Sequence, residues 1–347
     1  MARIAVVLFN LGGPDRPEAV QPFLVNLFSD PAIIRVPSVL RWILARVIAR
    51  RRAPIARANY AHIGGGSPLL PNTEAQAEAL RAALDGLGVV RTFIAMRYWH
   101  PMSDETAKAV AEFKPDRIVL LPLYPQFSTT TTASSIADWR KAAARAGVHA
   151  PSVAVCCYPM EAGLVAAESE LVRNSLAEAK RAGPARVLFS AHGLPEKIVA
   201  AGDPYQWQVE QTSAAVAARA GLADGEWVVC YQSRVGPLKW IGPSTEEEIA
   251  RAGQDGVSLV VVPIAFVSEH SETLVELDIE YRELAAKAGV PAYVRTPTVG
   301  VRPDFIHGVA ELVRGAVGGS AGWAPPGGHR ICPAAHGACP IAAGGVS

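Results

Sequence analysis

The sequence lacks several features, and each absence argues against a class of protein. No apolar run approaches the roughly 18 residues that a membrane-spanning helix needs. The 33 basic and 32 acidic side chains nearly cancel, so net charge gives no argument for nucleic acid or an acidic substrate. Five cysteines, an odd number with one adjacent pair, argue against a secreted disulfide framework. The amino end, MARIAVVLFNLGGP, has too short an apolar stretch for a secretory signal. We therefore expect a cytoplasmic protein.

Short β-branched runs alternate with helical windows along the chain. Examples are IAVVLF before PEAVQPFLVNLF, and LVVVPIAF before SETLVELDIEYRELAAKA. This alternation predicts an α/β fold with parallel sheets and right-handed crossovers. In such sheets ligands bind beyond the carboxyl ends of the strands, and the conspicuous polar residues of this sequence lie at those ends.

The two halves of the chain contain similar motifs. VLFNLGGP is echoed by VLFSAHGLP, and IVLLPLYPQFS by LVVVPIAFVSEHS. The echo predicts a duplicated domain, although buried strands can also resemble one another by chance. We predict a first Rossmann-like domain at 1–150 with a basic and apolar insertion at about 15–70, and a second domain at 151–300. Residues 301–347 are predicted to form a carboxyl-terminal helix and a tail with glycine and cysteine.

The predicted insertion contains no acidic residue from Pro31 to Thr73, whereas seven arginines lie between Arg35 and Arg57. Large apolar residues recur within it at helical spacing, namely Val39, Leu40, Ile43, Leu44 and Val47, with Trp42 beside them. One interpretation is an amphipathic helix that packs through this stripe and leaves its arginines in water. The other is an exposed apolar lip with basic flanks, suited to a flat anionic ligand or a membrane surface. The glycines that follow lack the strand and the lysine of a phosphate-binding loop.

The segment SEHSETLVELDIEY, residues 268–281, contains five carboxylates and one histidine. As an α-helix it would place Glu272, Glu276 and Glu280 on one face, where like charges destabilise by about 0.2–0.5 kcal/mol per pair. A solvated acidic face is the simplest interpretation. The preceding apolar run, however, is a predicted buried strand. The carboxylates therefore begin where a ligand site is expected.

A second marked residue, His192 in SAHGLP, follows another predicted strand. If the strands near 187 and 259 share a sheet, His192 meets Glu269, His270 and Glu272 at one edge. One imidazole with carboxylates suits a divalent cation such as Fe²⁺, whereas a closed zinc site needs four ligands. A hydrogen-bonded structural histidine is the alternative.

A set of motifs now identifies a resemblance. In chain order they are FNLGGP, RRRAPIARANYAHIGGGSP, MRYWHP, LPLYPQFSTTTT, SAHGLPEKIVAAGDPY, YQSRVGPLKWIGP and PIAFVSEHSETLVELDIEY. The chain resembles the ferrochelatases, lyases that insert Fe²⁺ into protoporphyrin IX in the last step of haem biosynthesis. The resemblance implies two similar Rossmann-like, chelatase-type domains with parallel sheets and an active-site cleft between them.

The resemblance also implies roles for residues of this sequence. His192 would take a pyrrole proton, because imidazole exchanges protons near neutral pH, and Glu272 would be a metal ligand or a proton partner. Glu276 and Glu280 would continue a carboxylate file that carries metal or protons. The positions that match propionate-side residues are Arg52, Ser67 and Trp240. The positions that match residues around the porphyrin ring are Leu11, Tyr60, Arg97, Tyr98 and Tyr124.

The resemblance leaves the tail and the exact activity open. Many relatives hold a [2Fe–2S] cluster near the carboxyl terminus, for which Cys157, Cys332 and Cys339 are candidate ligands; a disordered tail with reduced thiols is the alternative. No organic cofactor is expected. The expected partners are protoporphyrin IX and Fe²⁺, without nucleic acid and with peripheral contact at the inner membrane. A chelatase for another metal or tetrapyrrole is one rival function. A non-catalytic porphyrin or haem carrier is the other, but it has no use for the three glutamates.

Overall fold

The computed structural model describes residues 1–234 and 238–341, which form two compact units. Unit 1 comprises Met1–Cys157 and Val309–Ile331 with Pro340 and Ile341, and unit 2 comprises Tyr158–Gly308 and Cys332–Cys339. Each unit is an α/β structure with a parallel sheet. This confirms the predicted fold class.

The regular elements of the described chain alternate as the sequence predicts. The strands are β1 (Arg3–Asn10), β2 (Val89–Met96), β3 (Arg117–Pro122), β4 (Ser152–Val155), β5 (Ala185–His192), β6 (Trp227–Gln232), β7 (Ser258–Pro263), β8 (Tyr293–Arg295) and β9 (Gly322–Ala324). The α-helices are α1 (Val20–Ser29), α2 (Ser38–Ala61), α3 (Leu69–Ala83), α4 (Ser103–Phe113), α5 (Thr132–Arg145), α6 (Ala162–Ala179), α7 (Glu196–Ala200), α8 (Tyr205–Ala220), α9 (Thr245–Asp255), α10 (Tyr281–Lys287) and α11 (Pro303–Gly318). Among these described helices, none combines the length and the apolar character needed to cross a membrane.

The two sheets repeat one strand order. Unit 1 has the order β2-β1-β3-β4-β9, and unit 2 has the order β6-β5-β7-β8. The echoing motifs occupy corresponding central strands, with Phe9 beside Pro122 in one sheet and Ser190 beside Pro263 in the other. Both faces of these strands are covered, and every residue of β7 is buried. The sequence echo therefore corresponds to a repeated topology.

Helix α2 packs through its small residues and exposes its large ones. Ala45, Ala49 and Ala53 are buried at four-residue spacing, and Ala49 and Ala53 share an apolar cluster with Val20 and Leu24 of α1. Short side chains let the two helix backbones approach closely. The exposed large residues of the stripe are Val39, Leu40, Trp42, Ile43 and Val47, of which Val39 is 74% exposed. The interpretation in which this stripe packs against the domain is therefore wrong.

The acidic segment is not the α-helix that its spacing predicts. Glu272–Glu280 is a π-helix, in which the Tyr281 amide donates to the Glu276 carbonyl five residues earlier. A π turn is wider than an α turn, so it distributes the side chains differently around the axis. In this helix Glu272 keeps 29% of its side chain exposed, whereas Glu280 lies in solvent. Over nine residues the apolar positions fit either helix, and the sequence pattern did not distinguish them.

The carboxyl-terminal tail has defined contacts as far as the structure describes it. Within unit 2, the Ala338 amide donates to the Gly202 carbonyl at 3.2 Å. The Gln208 amide donates to the Cys332 sulfur, also at 3.2 Å. The expectation of a disordered tail is therefore wrong for the part of the tail that ends at Ile341. Residues 342–347 lie outside the described residues.

The packing of α2 predicts which substitutions the helix tolerates. Ala49→Leu should lower the free energy of unfolding by about 1–3 kcal/mol, because added methylenes overpack the α1–α2 contact. The control Val39→Ser should stay within about 0.5 kcal/mol, as exposed positions do. Denaturant titrations of the two variants measure both values. A destabilising Val39→Ser with a neutral Ala49→Leu would show that the apolar stripe is the packed face.

Candidate active site

His192 is held in one tautomer at the carboxyl end of β5. Its Nδ1 lies 2.7 Å from the carbonyl oxygen of Gly193. A carbonyl only accepts, so Nδ1 carries the proton and Nε2 keeps its lone pair. That Nε2 lies 3.8 Å from Oε1 of Glu272. Parallel pairing of β5 with β7 brings the two together, because the acidic segment follows β7. The predicted meeting of His192 and Glu272 at one sheet edge is confirmed.

Glu272 lies between two imidazoles that offer it no hydrogen bond. Its Oε2 is 3.7 Å from Nε2 of His270, which is beyond hydrogen-bond distance. The Nδ1 of His270 donates to the Ser268 carbonyl at 3.2 Å, so its Nε2 is also an acceptor. Within the described chain, Oε2 of Glu272 and Nε2 of His270 are buried without a hydrogen-bond partner. Acceptors that face one another without a donor favour a cation, either a proton or a metal ion.

The charges at this edge keep Glu272 ionised. Burial alone would raise the pKa of Glu272, but once His192 and His270 have taken up a proton, their positive charge outweighs burial and lowers the pKa of Glu272 to about 2. No three histidine, cysteine or acidic side chains of the described residues form a ready cage for a metal ion. The group at this edge is thus a carboxylate flanked by two imidazoles, which in their neutral forms accept protons and after accepting them hold Glu272 ionised.

The next carboxylate, Glu276, accepts three hydrogen bonds and faces a hydroxyl that it shares with Glu246. Its Oε1 accepts from the Ser233 amide at 2.8 Å and lies 3.1 Å from the Tyr281 hydroxyl. Its Oε2 accepts from the Ser233 hydroxyl at 2.5 Å and the Gln232 amide at 3.2 Å. Burial and the charge of Glu272 raise the pKa of Glu276. Ser233 adopts a left-handed backbone with φ of 59°, which costs a non-glycine residue about 1 kcal/mol or more.

Two other predicted members of this cluster lie elsewhere. Glu269 does not join Glu272; its Oε1 accepts from Arg295 at 2.6 Å and from the Thr298 amide at 3.0 Å. Arg295 also binds Asp278 at 2.6 Å and so ties the chain before the π-helix to the π-helix itself. Glu280 is exposed. Sequence spacing could not distinguish these carboxylates, because it does not show which of them an arginine neutralises.

Trp240, in unit 2, packs its ring beside Gly193, the residue that follows His192. The residue bridges to Pro195, and a Cβ added to Gly193 would lie 3.3 Å from its ring. Its Nε1 is buried without a partner among the described residues. An indole N–H only donates, so this group suits an acceptor such as a carboxylate.

In unit 1 two predicted substrate motifs pack against each other at the end of β1. The Ser67 amide donates to the Pro14 carbonyl at 2.7 Å. A Cβ on Gly13 would come within 2.5 Å of the Ser67 hydroxyl, so only glycine fits there. Tyr60 is buried nearby and Leu11 is half-buried. The structure therefore brings Tyr60 and Ser67 together beside Gly13, and Leu11 lies two residues before that glycine at the end of β1.

Arg52 is an exposed residue of α2. Its guanidinium is 5.9 Å from the ring of Phe28. It makes no ion pair with any described residue. Arg52 is therefore available to an anion from solution.

Arg97 and Tyr98 are bound to an acid that the sequence analysis missed. Asp30 is buried, and its Oδ2 accepts from Arg97 at 2.8 Å, Tyr98 at 2.9 Å and Ser134 at 2.5 Å. Tyr98 is almost fully buried, as is Tyr124. Asp30 is the last acidic residue before the acid-free stretch. This position was the feature of the sequence that could have indicated its importance. Asp30 holds Arg97 and Tyr98 in place.

Comparisons with known proteins assign the chain to a family. The ferrochelatase family model matches residues 3–317. The chain belongs to the ferrochelatase family. It is 58% identical over 323 residues to the ferrochelatase of Caulobacter vibrioides (strain NA1000 / CB15N), covering 92% of each chain. It is 55% identical over 348 residues to the ferrochelatase of Phenylobacterium zucineum (strain HLK1), covering 99% of this chain and 100% of that one. The predicted resemblance is confirmed.

A solved structure shares the fold. The sirohydrochlorin chelatase SirB from Bacillus subtilis subspecies spizizenii, in complex with cobalt, superposes with a TM-score of 0.51 at 12% identity. The match covers 91% of this chain and 95% of that chain. At this identity the likeness concerns the fold alone. It agrees with the parallel-sheet units described above.

The Asp30 cluster predicts a strong effect from removing a single charge. Asp30→Asn should lower the free energy of unfolding by about 3 kcal/mol, because the mostly buried guanidinium of Arg97 loses its closest counter-charge. The control Asp138→Asn removes a carboxylate 3.8 Å from Arg97 that is 33% exposed, and it should cost about 1 kcal/mol or less. Chemical denaturation compares them. Equal effects would contradict the assignment of Asp30 as the anchor.

Proposed function

We propose that this protein inserts Fe²⁺ into protoporphyrin IX to form protohaem, the last step of haem biosynthesis. Membership of the ferrochelatase family supports this activity. The observation that carries the assignment of residues is the outward Nε2 lone pair of His192, 3.8 Å from a carboxylate whose other oxygen has no partner. Iron is a substrate in this proposal, as is the porphyrin.

Metal insertion exchanges two pyrrole protons for one Fe²⁺ ion. A base must accept these protons, and negative charge must compensate for the cation. In our proposal Nε2 of His192 takes a pyrrole proton, and the Glu272 carboxylate stabilises the resulting imidazolium. Nε2 of His270, on the other side of Glu272, supplies a second acceptor. Glu272 also offers iron an oxygen that no protein donor occupies.

The porphyrin itself requires an apolar surface and donors for two propionates. We assign the propionates to Arg52, Ser67 and Trp240, because each presents a cation or a polar hydrogen. Arginine pairs with a carboxylate through two parallel hydrogen bonds, and the buried indole N–H of Trp240 lacks an acceptor. Leu11 and Tyr60 supply apolar contact to the ring. Arg97, Tyr98 and Tyr124 support this surface from within unit 1.

The exposed face of α2 suits contact with a membrane surface. Large apolar side chains lie in solvent along it, interspersed with arginines such as Arg46, whose guanidinium stacks 3.8 Å from the ring of Trp42. Apolar residues with basic flanks bind anionic lipid surfaces peripherally. We propose that the protein works in the cytoplasm with this face at the inner membrane, where an apolar product partitions readily.

The number of cysteines raises the question of a further group, the [2Fe–2S] cluster held by many relatives. Such a cluster needs four thiolates, and Cys156, Cys157, Cys332 and Cys339 supply that number. The amide N–H that Gln208 directs at the Cys332 sulfur fits a ligating thiolate. No three of these cysteines lie close enough together in the described residues to hold a metal ion, so the arrangement of the thiols does not fit such a cluster. The visible spectrum of the purified protein, with its iron and sulfide content, tests this.

The proposed function predicts multiple turnovers that depend on His192. With protoporphyrin and Fe²⁺ under anaerobic conditions, the Soret band should shift to that of haem for many equivalents, whereas a carrier stops at one. His192→Ala should lower turnover by about 10²-fold or more, because it removes the proton acceptor. Porphyrin affinity should stay within about tenfold.

The exposed His149 provides a control. His149→Ala should turn over as wild type. If His192→Ala retained more than about a tenth of wild-type turnover, the general base would have to be another group.

A further inference from the structure

The π-helix presents two neighbouring carboxylates in opposite states. Glu272 has an oxygen without any hydrogen-bond partner among the described residues. Glu276, by contrast, has two close polar contacts on each oxygen, as described above. A carboxylate has about four lone-pair sites. Three of those on Glu276 accept from Gln232 and Ser233. The fourth faces the Tyr281 hydroxyl, whose single proton is shared with Glu246. A metal ion would therefore have to compete with these groups for the oxygens of Glu276.

The donors to Glu276 connect it to the neighbouring strand. Gln232 ends β6 and is fully buried. Its Nε2 lies 3.2 Å from Glu276 Oε2 and 3.5 Å from the Glu272 carbonyl oxygen. Its Oε1 accepts from the Ser190 hydroxyl of β5 at 2.8 Å. One amide group thus joins β5 to both glutamates of the π-helix.

Ser233 adds a constrained element to this connection. Its left-handed backbone directs both the amide and the hydroxyl at Glu276. A non-glycine residue keeps such a conformation only where its surroundings enforce it. On the far side, the Tyr281 hydroxyl lies 3.1 Å from Glu276 and 3.0 Å from Glu246 of α9. Glu276 is therefore held from β6 and from α10.

We propose that Glu276 is a positioning residue, not an iron ligand: it ties the Gln232–Ser233 turn to the π-helix and so fixes where Glu272 presents its carboxylate. This inference rests on the proposed function for its effect on turnover. The tie itself is a property of the fold and can be measured without any substrate.

Three single variants loosen the tie at different points. Glu276→Gln replaces one carboxylate oxygen with an NH₂ group, which cannot accept a hydrogen bond from Ser233. Ser233→Ala removes one hydroxyl and keeps the backbone amide. Tyr281→Phe removes only the phenol oxygen. The matched control is Glu283→Gln on α10, whose side chain is 65% exposed.

The tie predicts a pattern across three measurements. Amide exchange of a peptide containing Ser233 should quicken by about tenfold in Glu276→Gln and by less in the two milder variants, because a native hydrogen bond protects this amide. Co²⁺ affinity, titrated without porphyrin, should stay within about twofold in all three, whereas Glu272→Gln should lose it. In turnover, kcat should fall while the KM for Fe²⁺ stays within about twofold. The control should match wild type throughout.

The opposite pattern would overturn the proposal. A metal-ligand role predicts that Glu276→Gln weakens Co²⁺ binding and raises the KM for Fe²⁺ by about tenfold or more, with Ser233 exchange unchanged. If Glu276→Gln does not fold, Ser233→Ala and Tyr281→Phe decide the matter by the same exchange and Co²⁺ criteria. A wild-type protein that inserts no iron would refute the proposed function alone, since exchange and Co²⁺ binding would still report on the tie.

Discussion

The hydrogen bond from His192 Nδ1 to the Gly193 carbonyl is the constraint on which the proposed chemistry depends. It fixes the proton on one nitrogen and leaves the other as a base directed at Glu272. The neighbouring strands and loops support this placement of the imidazole. The parallel pairing of β5 and β7 brings the imidazole and the acidic segment to one edge, and the Ser268 carbonyl orients His270 in the same way. Three acceptors then converge without a donor, which is an arrangement that a cation relieves.

The acidic segment divides its carboxylates among different tasks. Glu272 has an open oxygen, Glu276 accepts from Gln232 and Ser233, Glu269 is neutralised by Arg295, and Glu280 lies in solvent. A file of equivalent carboxylates would repeat one environment along the helix. The observed series instead concentrates reactivity at the residue nearest His192. Like charges are tolerated here because donors and an arginine compensate most of them.

Sequence reasoning predicted the features that follow from strand order and chemistry. Alternating strands and helices, the repeated motifs and the edge shared by His192 and Glu272 all follow from the way parallel sheets are built. It missed features that depend on three-dimensional partners. Spacing did not distinguish an α-helix from a π-helix. Sequence reasoning did not separate Asp30 from the other acidic residues, because its role depends on the hydrogen bonds that Arg97 and Tyr98 donate to it in the folded protein. In α2 the apolar stripe was visible, but the packed face proved to be alanine, because close helix contact favours the smaller side chain.

The state of the His192 ring tests the central claim most directly. Nitrogen-15 NMR of histidine-labelled protein distinguishes a protonated ring nitrogen from one with a free lone pair, and the His192→Gln variant identifies the resonance among the eight histidines. At mildly alkaline pH the account predicts a proton on Nδ1 and none on Nε2, with the Nε2 resonance shifting when Co²⁺ is added. A neutral ring protonated at Nε2 would contradict it, because His192 could then accept no proton from the porphyrin.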